Sequence, residues 1–100
     1  MIIVIARVEV DPGDIDRVRP VLDAMMRSTW EESGCLSYSL AVECEKRGVI
    51  SIAERWESEA ALKEHFHTPH MAAFNAAAKG LIKSMDAKIY DATNERPLTI

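Results

Sequence analysis

The sequence holds no cluster of lysine or arginine, no long apolar run and only two cysteines. Each absence removes a class of function. Sixteen acidic residues against twelve basic ones leave a formal charge of -4, whereas binding to a phosphate backbone draws its affinity from concentrated positive charge. Nucleic acid is therefore not an expected partner. No stretch approaches the roughly 20 apolar residues that span a bilayer, and the N-terminal MIIVIARVEV lacks the basic start and small-residue cleavage site of a signal peptide. The expected location is the cytoplasm, with no membrane partner. Cys35 and Cys44 fall near opposite ends of one predicted strand, roughly 30 Å apart at about 3.3 Å per residue and so beyond disulfide reach. They are expected as two free thiols in a reducing compartment. With four glycines and four prolines in 100 residues, nothing marks a disordered segment, a linker or an internal repeat.

What remains is one domain with one core, residues 1–100, ending in a tail over 93–100. Ile2 to Val10 is a β-branched apolar run and reads as a strand with both faces partly covered. Asp11 to Asp14 is a turn, and Asp14 can cap the next helix. Ile15, Val18, Leu22, Met25, Met26 and Trp30 recur at helical spacing up to Ser33 and Gly34. Pro20 falls early in that helix, where it should kink the first turns or move the start. CLSYSLAVECE alternates, placing Leu36, Tyr38, Leu40, Val42 and Cys44 on one face. Lys46, Arg47 and Gly48 turn the chain into a strand over Val49 to Trp56, in which Glu54 and Trp56 continue the apolar row of Ile50 and Ile52.

Ser58 can cap a helix that carries Ala61, Leu62, His65 and Phe66 inward and stops at His67 or Thr68, because a residue before proline disfavours the helical region. Thr68 and Pro69 start another, with Met71, Phe74, Ala78, Leu81 and Ile82 inward. Met85 to Ala92 forms the last strand. The order predicts an α+β, ferredoxin-like βαββαβ fold with a four-stranded antiparallel sheet ordered 4-1-3-2. Helices then cover one face, yet the first strand is apolar on both, and the second strand is left as an open edge. A second copy packed sheet to sheet resolves both problems and predicts a homodimer.

The titratable residues cluster between Glu54 and His70. His65 shares a helical face with Leu62 and can act as a base or a substrate ligand; the alternative is a core histidine bonded to Glu54. Helix dipoles favour a neutral imidazole at a helix start and a cation at a helix end. On electrostatics alone His70 is then the base and His65 the oxyanion partner, and the sequence leaves both open. His67 is expected in solvent. Tyr38, Trp56, Phe74 and Trp30 are the aromatics that can line a flat slot, with ordinary core packing as the alternative. Arg7 and Asn75 are candidate polar contacts to a substrate oxygen, and Arg7 can instead pair with Glu9 or a carboxylate of a second copy. No metal is expected: the Pro69 break separates the three histidines, and Glu54 would have to complete the set.

Gly34, Cys35, Tyr38, Glu54, Trp56, Ser58, Ala61, His65, His70 and Phe74 together resemble the antibiotic biosynthesis monooxygenase superfamily of dimeric α+β barrels. That superfamily includes quinol and polyketide-type monooxygenases, haem-degrading enzymes and isomerase-like members. The haem-degrading branch uses an asparagine on the first strand, a tryptophan on the helix and a histidine beyond it, where this chain offers Arg7 or a neighbour, His65 and Asn75. The resemblance implies a pocket between helices and sheet, and oxidation of a small phenolic or quinol-like substrate without cofactor, because a deprotonated electron-rich ring can itself pass an electron to dioxygen. His65 and His70 are the implied catalytic residues; Tyr38, Glu54, Trp56, Phe74, Asn75 and Arg7 are the implied substrate contacts. The alternatives are an isomerase of a small oxygenated metabolite and a non-catalytic ligand-binding dimer.

Overall fold

A computed structural model describes residues 1–100, and its elements follow the expected order. Strand β1 (Ile2–Val10) leads through a short 3-10 turn (Pro12–Asp14) into helix α1 (Ile15–Thr29). Strands β2 (Cys35–Cys44) and β3 (Val49–Trp56) form a hairpin, followed by α2 (Glu59–His65), α3 (Pro69–Ala78) and β4 (Ile82–Asp91). The sheet is antiparallel and ordered β2-β3-β1-β4. This is the ferredoxin-like α+β arrangement. No helix is long and apolar enough to cross a membrane.

Period-2 alternation divides the sheet into two faces. Even-numbered residues of β1 and β3 face the helices, and Ile2, Ala6, Val8, Val10, Ile50 and Trp56 are buried there. Helix α1 closes this core with Ile15, Val18, Leu22, Met25 and Thr29, the three-and-four spacing of one helical stripe. Odd-numbered residues of β1 face away from the helices, and Ile5 on that face stays half exposed. Most of β4 is uncovered on both faces: only Ile82 is partly buried, and Met85, Ile89 and Tyr90 are each at least half exposed.

Several local expectations are corrected. Helix α1 ends at Thr29 rather than Ser33, so Trp30 leaves the apolar stripe; its indole lies exposed and donates from Nε1 to the Tyr38 carbonyl at 2.7 Å. Pro20 neither shifts the start nor breaks the helix, because it lies on the exposed side, where the Asp16 carbonyl it leaves without a partner can reach water. Asp14 occupies the cap position without a capping bond, and Asp11 instead accepts from the Gly13 amide at 2.8 Å. The alternation of β2 is interrupted by register shifts between Cys35 and Ser37 and between Val42 and Cys44. As a result Cys35 packs against the core and Leu36 is exposed. Both cysteines are free thiols. Helix α2 stops at His65, which leaves Phe66 exposed, and β4 begins at Ile82, which therefore belongs to the strand.

Candidate active site

Two helix ends and one turn build the site. Ser58 accepts from the Ala61 amide at 3.1 Å and starts α2. Thr68 then serves both neighbouring helices: its hydroxyl donates to the His65 carbonyl at 2.8 Å and accepts from the Met71 amide at 3.2 Å. Pro69 fits the first turn of α3, where its missing N–H costs nothing. The joint fixes His65 at the end of one helix and His70 at the start of the next, with ring centroids 5.9 Å apart.

Between the two rings stands a residue that sequence reasoning missed. Glu32, in the turn after α1, places one oxygen 2.6 Å from His65 Nδ1 and 2.7 Å from His70 Nε2. An ionised carboxylate only accepts, so each facing nitrogen donates to it. Three ligand atoms of metal-binding type thus lie within 4.8 Å of one another. The carboxylate that completes the set is Glu32, not Glu54, and its oxygen sits in hydrogen-bond contact with both nitrogens. The one signal it carries in the sequence is a pair of acids, Glu31 and Glu32, at the C-terminal end of the first helix, where the dipole opposes negative charge. Gly34, two residues on, has φ +88°, and a Cβ there would meet the Ala61 side chain at 2.7 Å. Its bareness lets this turn close against α2, and its carbonyl accepts from the Glu57 amide at 2.9 Å.

The two histidines differ in access. The His65 side chain is 2 % exposed, packed between Tyr38 (centroids 5.3 Å) and Trp56 (4.9 Å). The His70 side chain is 22 % exposed, and it opens on a groove of about 380 Å³ between α1 and α3, lined by Met25, Ser28, Ala73 and Phe74 among others. His67 is exposed.

Glu54 is buried and does not bond His65. Its Oε1 accepts from Trp56 Nε1 at 2.8 Å. Burial pushes its carboxyl above the ordinary value of 4.5; the indole N–H and the charge of His65 pull it part of the way back, and Glu32 adds to the rise. Burial, then the negative charge of Glu54, also pushes the Tyr38 hydroxyl well above the ordinary phenol value, so it is held as a donor. The neighbouring Thr29 hydroxyl offsets part of that rise, although it makes no well-formed hydrogen bond and is fully buried. Cys35 is likewise pushed up by burial, and further by Glu32 and Glu54.

The structure thus brings together His65, His70, Tyr38, Glu54 and Trp56, with Phe74 on the wall of the groove. It does not bring in Arg7 or Asn75. Arg7 lies on the face of the sheet away from the helices and pairs with Glu43 rather than Glu9. Asn75 is exposed on α3.

The family model for antibiotic biosynthesis monooxygenase matches residues 1–77, which include every member of this cluster. The chain belongs to that family. A family relative in Escherichia coli K12, named "Probable quinol monooxygenase YgiN", is 36% identical over 101 aligned residues, covering 89% of this chain and 95% of its own. Rv0793 of Mycobacterium tuberculosis is 38% identical over 79 residues, covering 79% of this chain and 77% of its own. Its solved structure superposes with a TM-score of 0.83 at 32% identity, covering 96% of this chain and 98% of that one. A further structure of an antibiotic biosynthesis monooxygenase gives a TM-score of 0.84 at 28% identity, over 94% and 100% of the two chains. These superpositions carry the family likeness beyond residue 77 into β4.

Proposed function

We propose that this chain is a monooxygenase that uses dioxygen to oxidise a small phenolic or quinol-like molecule, with His70 as the base. The observation that carries the reading is the Glu32-bridged histidine pair with only one ring open to an apolar groove. With Nε2–H held by Glu32, His70 presents Nδ1 to a substrate hydroxyl, and the carboxylate stabilises the imidazolium that forms. Phe74 offers a flat wall for the ring. Sealed His65, with Tyr38 and Trp56 around it, holds Glu32 in place from behind. The deprotonated ring is the reductant, so no cofactor is needed to supply electrons. One hydroquinone and one dioxygen give one hydroxyquinone and one water. One oxygen atom enters a ring C–H bond, the other leaves as water, and the ring gives up all four electrons.

Oxygen uptake with a panel of hydroquinones tests this. The expected result is saturable uptake of one dioxygen per quinol, with the hydroxylated product found by mass spectrometry. Conversion of a small oxygenated metabolite under anaerobic conditions, with no uptake in air, would overturn it in favour of an isomerase.

The working unit in this reading is a homodimer. Half-exposed Ile5 and Tyr90 on the helix-free face, and Met85 and Ile89 on β4, are apolar surface that a second copy would cover. Sedimentation at micromolar concentration is expected to give about twice the chain mass of 11.2 kDa. A stable 11.2 kDa species would remove the dimer from the proposal.

A further inference from the structure

A second, smaller space lies beside the groove of His70. It is partly enclosed between α1, α3 and the sheet, has a volume of about 50 Å³, and all twelve residues that line it are apolar. Val18 and Leu22 come from α1, Val8 and Ile50 from the sheet, and Phe74 and Ala78 from α3. Phe74 and Val21 also line the groove that holds His70. One side-chain layer therefore separates the two spaces. Ile82 and Met85 of β4 complete the lining, and Met85 is 58% exposed in the single chain.

Size and polarity restrict what can occupy the chamber. A water molecule needs about 10–15 Å³ and two to four polar partners, and this lining offers no polar side chain. The chamber is therefore dry. An apolar cavity that takes benzene measures about 150 Å³, so an aromatic ring does not fit here. A diatomic apolar gas fits on both counts, and dioxygen dissolves better in hydrocarbon than in water.

We infer that this chamber is a binding site for dioxygen, which holds the gas behind Phe74 next to a substrate ring in the groove. Its catalytic use rests on the oxygenase reading above; its occupancy does not. A site that concentrates dioxygen on the apolar side of the ring, while His70 removes the proton from the other, keeps the two reactants apart until the ring is ionised.

Dioxygen is paramagnetic, so its position can be read directly on the unaltered protein. Methyl proton relaxation is compared under nitrogen and under raised dioxygen pressure. Relaxation at Val8, Val18, Leu22 and Ile50 is expected to rise several-fold more than at Leu98, which is exposed on the tail. An equal rise at chamber and surface methyls would overturn the site. The kinetic arm uses Ala78→Leu, which fills the chamber, and the milder Val18→Ile. Ala78→Leu is expected to raise KM for dioxygen at least about five-fold, with KM for the quinol and kcat at saturating dioxygen within two-fold. Val18→Ile should move the same constant in the same direction by less. A rise in KM for the quinol instead would assign the chamber to a ring substituent and overturn the inference. An unchanged KM for dioxygen with the methyl effect present would overturn its role in supply. Should the protein consume no dioxygen with any quinol, the oxygenase reading falls, and the methyl measurement alone decides whether the chamber takes the gas.

Discussion

His70→Ala is expected to fold normally and to lose about 100-fold or more of kcat in quinol-dependent oxygen uptake, the range associated with removing a general base. His70 contributes little to the core, so its Tm should stay within roughly 5 °C of the wild type. His65→Ala should show the reverse. That side chain is sealed between Tyr38 and Trp56, and its loss leaves a cavity and frees one side of Glu32. The expected cost is about 2–4 kcal/mol, or roughly 10 °C or more in Tm for a domain of this size. Uptake kinetics and thermal melts on the two variants separate the roles. A stable but inactive His65→Ala, or a His70→Ala with wild-type kcat, would exchange or remove them. Glu32→Gln is a useful third variant, because an amide oxygen in the bridging position still accepts from both rings while the charge is gone.

The second large effect belongs to Trp56, which is fully buried and gives its indole N–H to Glu54. Trp56→Ala is expected to cost about 3–5 kcal/mol, a large share of the 5–15 kcal/mol that typically holds a domain together. Trp56→Phe keeps most of the packing but leaves the Glu54 carboxyl without its donor, for about 1–3 kcal/mol. Glu54→Gln keeps an acceptor for the indole and removes a buried charge. The raised carboxyl makes a contribution to stability that is fully present below 4.5 and is lost as pH rises through its folded value. The Tm advantage of Glu54→Gln over the wild type should therefore widen as pH rises above 4.5. Melts at several pH values would show this, and a gap that narrows with rising pH would contradict the assignment.

Much of the fold was legible because periodicity reports which face is buried. Ile50, Ile52, Glu54 and Trp56 read as one face and are one, and Thr68 with Pro69 marks a helix start that the structure keeps. Errors gathered at element ends, where periodicity says least. Trp30 and Phe66 continue the helical spacing of their neighbours, but α1 and α2 stop just before them, and both rings turn out to solvent. Leu36 fits the alternation of β2, yet the register shift beside it gives its place to Cys35. The candidate site was half legible. His65, His70, Tyr38, Glu54 and Trp56 could be named from residue type and position. Their partner Glu32 could not, since it lies 33 residues before His65 in a turn without periodic pattern. Arg7 could not be placed until the parity of β1 showed it on the far face.

The bareness of β4 bears on how the molecule opens. Its ladder to β1, and the bond of 2.9 Å from the Ala92 amide to the Met1 carbonyl, hold it in place almost without buried side chains of its own. In the single chain, a strand so attached sits at the low end of local stability, where backbone hydrogen bonds break without unfolding the rest. Amide hydrogens of Ile82–Asp91 should accordingly exchange with solvent well before those of β3, which is flanked by strands on both sides. Met85 stands on this strand at the rim of the apolar chamber. Fraying of the last strand therefore also loosens one wall of that chamber, whose shape is tied to the lifetime of a few hydrogen bonds at the edge of the sheet.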